Sequence, residues 1–541
     1  MRITPISLTE QSTLINDYRQ QRENIMEHFT YDPYLQGTYR SRANSLQQKS
    51  IDRSRLADAL ITMNQRWDAP EATFRNIERL KGDDSVVAIG GQQAGLLTGP
   101  MYTVNKIISI IQFARKQEEE LGKPVIPVFW IAGEDHDFAE IDHIYLPEDK
   151  GLSKYRLAQQ VTENTSVSDI AIDKSAANDW VDQLFEQLRE TSYTQNLYQS
   201  IENCLQQSVT YVDFFARVLY QLFTDEGLVL VNSADPGLRK IEQDHFLELI
   251  EKQSAIATGV NKALNILNQK GYAVSLETNP DDAHLFYHDG LDRRLLLRDE
   301  EGNWIGKQGD VLLTTDEMRA TASYHPEQLS NNVVTRPLMQ EWLFPTLAFI
   351  GGPGEVGYWS ALKPAFDAVD MEMPPVLPRL SLTFVDRRVE KVIQKHNLNA
   401  ASAVNQGTES FKIQWLAARS NPPLQQLTAS VKEAVDQAHK PIRDIARDTR
   451  TDIGELADKN LYYLNEHIDY LESRINRAIE DQYAQQLNEF DVVQQVVRPH
   501  NGLQERIWNP LWWLNEYGPC FINDLAKETC SFNADHHLVY L

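Results

Sequence analysis

The chain has 541 residues, 42% hydrophobic and 24% charged, a balance that builds a large buried core and excludes bulk disorder. At roughly 150 residues per domain, such a length implies several structural units. Lys and Arg total 52 against 77 for Asp and Glu, a formal charge of −25 that repels a phosphate backbone. Nucleic-acid binding is therefore not expected, although a local basic pocket for a small anion is compatible with that balance.

Cys204, Cys520 and Cys530 are too few and too scattered for a disulfide framework or a Cys-rich zinc site, and they fit a reducing cytoplasm. Met1-Arg2-Ile3-Thr4-Pro5 lacks the apolar stretch of a secretory signal. Lys106, or Gly133 with Glu134, interrupts the most apolar later segments, so neither export nor membrane insertion is expected.

Residues 1–80 read as a helical lead-in packed on the core, with Leu56, Leu60 and Met63 at helical spacing. Val86-Val87-Ala88-Ile89-Gly90 is a short β-type run. A Gly-rich turn follows, then an apolar helix through Ile107, Ile110, Ile111 and Ala114, then a second buried strand at 125–131. Strand, helix, strand in this compass is a βαβ unit, which predicts a parallel sheet. Residues 227–231 and 346–350 read as further buried strands, so an α/β core over 81–390 is interrupted by insertions. One, over about 150–225, reads as helical; the other, over about 270–320, reads as β-rich, with hairpin turns at Asp289-Gly290 and Glu301-Gly302.

Residues 391–495 read as a helical arm. Leu427, Val431, Val435, Ile442 and Ile445, then Leu461, Leu464, Ile468, Leu471 and Ile475, recur at three-four spacing, the seam of a coiled coil that pairs with a second copy. Gly454 is expected at the turn between the runs, and Pro441 is expected to break or kink the first helix. Residues 496–541 read as a segment that docks back on the core.

Candidate chemistry lies at strand ends. In the first loop, Gly90, Gly91, Gly95 and Gly99 permit close backbone approach, and Gln92, Gln93, Tyr102 and Lys106 supply polar groups. Gly99 as cap and Pro100 at the first helical position would point helix N–H groups at a ligand. No Gly-Lys-Ser/Thr follows, so this is not a Walker A loop. The second strand ends in Trp130, then Glu134, Asp135 and His136, charges that must face water, a ligand or one another. His136 is the natural proton-transfer group, whereas Asp137 with Glu140 matches a capping box. No histidine pair sits at metal-ligand spacing, so no metal is expected.

The third loop holds Gly352, Gly354 and Gly357 with Glu372 downstream, a literal dinucleotide fingerprint. Pro353 in the turn, Glu355 where a pyrophosphate would pack and Pro364 beyond it argue for a different ligand loop, with Glu355 and Tyr358 as polar contacts. Last, His500-Asn501-Gly502-Leu503-Gln504-Glu505-Arg506 precedes Trp508, Trp512, Trp513 and Tyr517. These either hold a purine or sugar, or dock the C-terminal segment.

Gly91-Gln92-Gln93-Ala94-Gly95-Leu96-Leu97-Thr98-Gly99-Pro100, Pro127-Val128-Phe129-Trp130-Ile131-Ala132-Gly133-Glu134-Asp135-His136-Asp137, Gly351-Gly352-Pro353-Gly354-Glu355 and Met373-Pro374-Pro375-Val376-Leu377-Pro378-Arg379 together resemble the BshC family of bacillithiol biosynthesis proteins. The resemblance covers nearly the whole chain. It implies an α/β fold with a Rossmann-type parallel-sheet core similar to class I aminoacyl-tRNA synthetases, connecting-peptide insertions and a coiled-coil dimerisation arm. The activity it implies is that of a ligase joining cysteine to the amine of glucosaminyl malate, the last step of bacillithiol synthesis. ATP or another adenine nucleotide would activate the cysteine carboxylate, with no metal or redox cofactor.

On that resemblance Thr98, Gly99 and Asn105 line a nucleotide or acyl site, and Glu134, Asp135 and His136 recognise an amine or relay protons. Glu355 and Tyr358 complete a pocket shared with Gln92, Gln93, Tyr102, Lys106, Trp130, Gly352 and Gly354. Asn501, Gly502, Gln504, Glu505 and Arg506 offer a second nucleotide site. Thr98-Gly99-Pro100-Met101 stands where class I synthetases carry His-Ile-Gly-His, and no Lys-Met-Ser-Lys-Ser loop is visible, which leaves the route of activation open. A dinucleotide-dependent oxidoreductase built on the Gly352 turn and a non-catalytic coiled-coil scaffold are the other two readings.

Overall fold

Five apolar runs form one parallel sheet in the computed structural model, which describes residues 1–148, 151–162, 164–309, 311–419 and 423–541. The strands are β1 (Val86–Gln92), β2 (Val125–Ile131), β3 (Val229–Asn232), β4 (Thr346–Gly351) and β5 (Val376–Pro378). Their order across the sheet is β5-β4-β1-β2-β3, with every pair parallel. Burial on both faces explains why β1 to β4 read as unbroken apolar runs rather than alternating ones. The chain steps outward from β1 to β3, then returns to lay β4 on the other flank of β1. That reversal between β1 and β4 is where a Rossmann-type sheet opens a crevice at its carboxyl edge.

β5 was not expected as a strand. Pro375 and Pro378 break its apolar signal, and it survives because it is an edge strand, paired only with β4. Backbones crowd where β1 ends: a Cβ at Gly90 would lie 2.6 Å from the Ile350 carbonyl oxygen, and one at Gly91 would lie 2.5 Å from that of Trp130.

Two compact units divide the chain, Met1–Thr383 with Gln504–Val539 and Phe384–Leu503 with Tyr540–Leu541. In the first, helices Arg53–Arg66 and Glu71–Leu80 precede the sheet, with Leu56, Leu60 and Met63 buried. Helix α1 (Tyr102–Leu121) connects β1 to β2, and the short helix α2 (Pro353–Trp359) follows β4. The segment after β2 includes an unexpected hairpin, His143–Glu148 paired with Gly151–Arg156, before helices Lys174–Glu186, Thr194–Gln207 and Tyr211–Leu222. Asp282–Asp289, Asp292–Arg298, Trp304–Gly306, Leu312–Leu313 and Leu329–Asn331 make an antiparallel five-stranded sheet. Positive φ at Gly290 and Gly302 fits the two turns expected there.

The second unit contains two long helices, α3 (Leu424–Thr449) and α4 (Thr451–Gln482). α3 runs through Pro441 without the expected break. The reversal falls on extended Arg450 and not on Gly454, which sits in the first turn of α4. There it serves packing, because a Cβ would meet Arg447 Cγ at 2.8 Å. Ala446 and Gly454 are the buried residues of this pair, whereas Leu427, Val431, Ile445 and Leu471 of the apolar stripe are exposed. Among the described residues no helix is long and apolar enough to cross a membrane.

The crowding at Gly91 gives a direct test. Gly91→Ala forces a methyl group against the β2 backbone and is expected to cost about 1–3 kcal/mol in urea melts. Gly354, whose Cβ position is open, should accept Ala within about 0.5 kcal/mol. Equal effects from the two substitutions would contradict the packing described here.

Candidate active site

The carboxyl ends of β1, β2, β4 and β5 meet at a cavity of about 710 Å³ within the first unit. Gln92, His136 and Glu355, from three different strand ends, all line it. Beneath it Lys106, 1% exposed, rises from α1 and donates to the Gly91 carbonyl at 2.6 Å, to Gln92 Oε1 at 3.0 Å and to Glu355 Oε2 at 2.5 Å. Burial pulls the Lys106 pKa down, and Glu355 pushes back. Glu355 occupies the third position of α2, where its carboxylate also accepts the Gly352 N–H at 2.7 Å. Tyr358 accepts from Arg336, and burial raises its hydroxyl to about 12.

This geometry removes the dinucleotide fingerprint. α2 has seven residues, and nothing approaches the Cβ positions of Gly354 or Gly357. Glu372 is taken by Arg42, Tyr31 and Ser45 at 3.2, 2.7 and 2.6 Å. Gly352 and Gly354 do line the cavity, as start of a capped helix and not as a pyrophosphate cradle.

On the β2 side, Glu134 is buried and accepts from Arg239, which also binds Glu242 at 2.7 Å. Burial drives Glu242 up to about 7 against the pull of Arg239. Asp135 is held by Gln93 Nε2 and by the backbone N–H of His136, both at 2.8 Å. His136 Nδ1 lies 3.1 Å from an Arg293 guanidinium nitrogen. A guanidinium only donates, so Nδ1 accepts and the ring hydrogen sits on Nε2. Burial, then Arg293, hold the His136 pKa below its ordinary value. Asp137 does occupy the N-cap of Phe138–Ile141, yet its side chain makes no capping bond. Glu140 instead accepts from Gln93 at 2.8 Å, so the expected capping box is not formed.

Other expectations are overturned. α1 does not begin at Pro100 capped by Gly99. Leu97 and Thr98 take positive φ in a tight turn, the helix starts at Tyr102, and the Met101 N–H donates to the Trp508 carbonyl at 2.8 Å. Asn509 donates to the carbonyls of Leu97 at 3.0 Å and Gly99 at 2.8 Å. Thr98 is wholly buried, and Thr98, Gly99 and Asn105 lie away from the cavity lining. Asn105 donates instead to Glu505 at 2.7 Å.

Glu505 in turn receives both Arg379 guanidinium nitrogens at 2.8 Å, Ser381 Oγ at 2.8 Å and the Leu382 N–H at 3.3 Å. Burial alone would raise this carboxyl; Arg379 prevails and holds it down at about 2. Of the residues expected at a second nucleotide site, Glu505 thus has its carboxylate committed within the protein. Gln504 and Glu505 are buried, Arg506 lines the cavity, and Asn501 and Gly502 belong to the other compact unit. Trp508 and Trp513 are buried, as expected of docking residues.

Gln92, Gln93, Tyr102, Lys106, Trp130, Glu134, Asp135, His136, Glu355 and Tyr358 do meet at the cavity. Arg293, Asn331, Asn332, Arg336 and Arg379 join them unforeseen. Arg379 follows a strand end, a usable signal once β5 is recognised. Arg293 gives none, since an arginine in a hairpin reads as solvent-facing; here it stacks 3.6 Å over Phe286. Among the described residues no three His, Cys, Asp or Glu side chains are grouped to hold a metal ion.

Removing the Glu505 charge is expected to cost about 3–5 kcal/mol at neutral pH, because buried Arg379 is left unpaired. The folded pKa, about 2, lies below the ordinary 4.5, so the stability from this group is complete above pH 4.5 and is lost as pH falls toward 2. Glu505→Gln should therefore flatten the pH dependence of urea unfolding in that window. An unchanged slope would contradict the assignment.

The family described as bacillithiol biosynthesis BshC matches this chain throughout. Its N-terminal Rossmann-like domain model covers residues 1–380, and its C-terminal coiled-coil domain model covers 382–541. A protein of Oceanobacillus iheyensis named "Putative cysteine ligase BshC" is 39% identical over 547 residues, covering 100% of both chains. Proteins with the same name from Geobacillus thermodenitrificans, 39% over 542 residues, and Bacillus velezensis, 37% over 543, are also covered completely. A solved structure described as a "putative arginyl t-RNA synthetase" from Campylobacter jejuni is 11% identical, covering 83% of this chain and 94% of that one. Its TM-score against this chain is 0.21.

Proposed function

Because the chain belongs to the bacillithiol biosynthesis BshC family, we propose that its cavity joins cysteine to the amine of glucosaminyl malate to form bacillithiol. The chain is a ligase, and the observation that carries the finer reading is the meeting of three strand-end loops at one polar cavity. Its volume, about 710 Å³, is that of a small-molecule site. Lys106, Arg293, Arg336, Arg379 and Arg506 line it in a chain of net charge −25, which suits anionic substrates.

In the proposed reaction the amine nitrogen attacks the activated cysteine carbonyl, a C–N bond forms, the activating group departs with the C–O bond electrons, and the amine gives up a proton. Asp135, fixed by Gln93 and the His136 N–H, is placed to bind the substrate ammonium and take that proton. His136, with its hydrogen on Nε2, is a donor for developing negative charge on the carbonyl oxygen. An adenine nucleotide supplies the activation. Arg506, exposed and with no ion pair among the described residues, is the guanidinium open to its phosphates. Lys106 and Arg379 already neutralise Glu355 and Glu505. The reaction is assigned to the cytoplasm, where a thiol stays reduced.

Incubating the protein with cysteine, glucosaminyl malate and each candidate nucleotide is expected to yield the amide by mass spectrometry, with one AMP or ADP per product. No amide with any nucleotide would sink the ligation. Asp135→Asn is expected to lower kcat by about 10²–10⁴ with an unaltered melting temperature.

A homodimer is part of the same proposal, because the exposed stripe through Leu427, Val431, Ile445 and Leu471 is a coiled-coil seam that a second copy would cover. Sedimentation velocity should show a dimer that Leu471→Asp with Ile445→Asp converts to monomer. A wild-type monomer at micromolar concentration would refute it.

A further inference from the structure

Asn331 closes the strand Leu329–Asn331 and is 1% exposed. Its backbone is pinned by two charged side chains: the N–H donates to Glu134 Oε2 at 3.4 Å, and the carbonyl accepts from Arg293 at 2.7 Å. The side-chain amide, by contrast, is buried with neither Oδ1 nor Nδ2 partnered among the described residues, although the residue lines the cavity. An orphaned buried polar group has lost its hydration without compensation, and native proteins keep few of them. Trp130, also 1% exposed and also in the cavity wall, carries a second such group, its unpartnered indole Nε1–H.

Two residues of the cavity wall therefore hold two unmatched donor groups and one unmatched acceptor just beneath its surface, and donor–acceptor logic narrows what satisfies them. A carboxylate or phosphate only accepts and would leave Asn331 Oδ1 unpaired. An ammonium only donates and would leave Asn331 Nδ2 and Trp130 Nε1 unpaired. A hydroxyl does both. We infer that Asn331 and Trp130 form a subsite for a ring with neighbouring hydroxyl groups, a neutral part of the ligand in a cavity otherwise dominated by charge. This deepens the ligase proposal and rests on it for the identity of the ring. Two of the proposed substrates carry such a ring, the hexosamine of glucosaminyl malate and the ribose of the nucleotide. Sites that pair their polar groups with a substrate hydroxyl discriminate strongly against analogues lacking it.

Calorimetric titration of the full chain with glucosaminyl malate, adenylyl imidodiphosphate, methyl glucoside and succinate tests the subsite. Asn331→Leu keeps the side chain's branched shape and removes its polarity, and Trp130→Phe removes the indole N–H. Each is expected to weaken one ring-bearing ligand about tenfold and to leave succinate, which has neither ring nor hydroxyl, unchanged. Loss confined to glucosaminyl malate assigns the hexosamine; loss confined to the nucleotide analogue assigns the ribose. Unchanged affinity for every ring-bearing ligand, or an equal loss for succinate, overturns the inference. Asn331→Asp, which keeps the acceptor and loses the donor, covers the case in which Asn331→Leu does not fold. Should the wild type bind no glucosaminyl malate, the ligase proposal falls. Asn331-dependent binding of methyl glucoside or the nucleotide analogue would still uphold the subsite, and binding of neither would overturn it too.

Discussion

Burying the Glu505 carboxylate is the constraint around which the site is assembled. A lone carboxylate in the interior costs several kcal/mol in lost hydration, so it persists only where donors surround it. Here they are the Arg379 guanidinium, Asn105 Nδ2, Ser381 Oγ and the Leu382 N–H. Those groups come from α1, from the end of β5 and from the chain just beyond it. One buried charge thereby fixes three segments far apart in sequence. The same C-terminal return carries Trp508 and Asn509, which occupy the Met101 N–H and the Leu97 and Gly99 carbonyls. The start of α1, a place where helices often bind anions, is consequently filled by the protein itself.

The charges in the cavity follow the same rule: most are matched inside the protein. Lys106 answers Glu355, Arg239 answers Glu134 and Glu242, and Arg336 donates to Tyr358. Fixed partners cost little reorganisation when charge develops on a substrate, which is the condition for strong electrostatic stabilisation in a site that excludes water. Pairing also redistributes chemical roles. His136 is the obvious base in the sequence, but Arg293 occupies its Nδ1 lone pair and leaves the ring a donor. In the proposed reaction proton acceptance passes to Asp135, whose own hydrogen-bond partners are a neutral amide and a backbone N–H.

What could be read from sequence was what local periodicity and burial encode. β1 to β4 were legible because a doubly covered parallel strand is a continuous apolar run, and Gln92, His136 and Glu355 were legible as polar residues at the ends of such runs. β5 was hidden by proline, which only its edge position makes tolerable. The start of α1 was misread because its real partner, Asn509, lies 410 residues beyond Gly99. Arg293 and Asn331 sit on a hairpin sheet, where polar residues ordinarily mark the wet face, and nothing local shows that this face meets the core. Pro441 is expected to break or kink the first helix of the arm, and α3 continues through it unbroken.

The Gly90-Gly91 pair shows how a motif can be functional without cradling a ligand. A side chain at Gly90 would collide with the Ile350 carbonyl and press on Ile110 and the Lys106 stem, at 2.6, 3.1 and 3.4 Å. A side chain at Gly91 would strike the β2 backbone. With both positions bare, β1 lies close against its neighbours and the Lys106 chain passes beside it, so that the buried ammonium reaches the Gly91 carbonyl and Glu355 together. The glycines thus act through space left for a lysine and for close strand packing, which fixes where α2 begins, since Glu355 also holds the Gly352 N–H. Strand spacing, the buried ion pair and the position of the β4 loop form one linked arrangement, and the cavity inherits its shape from it.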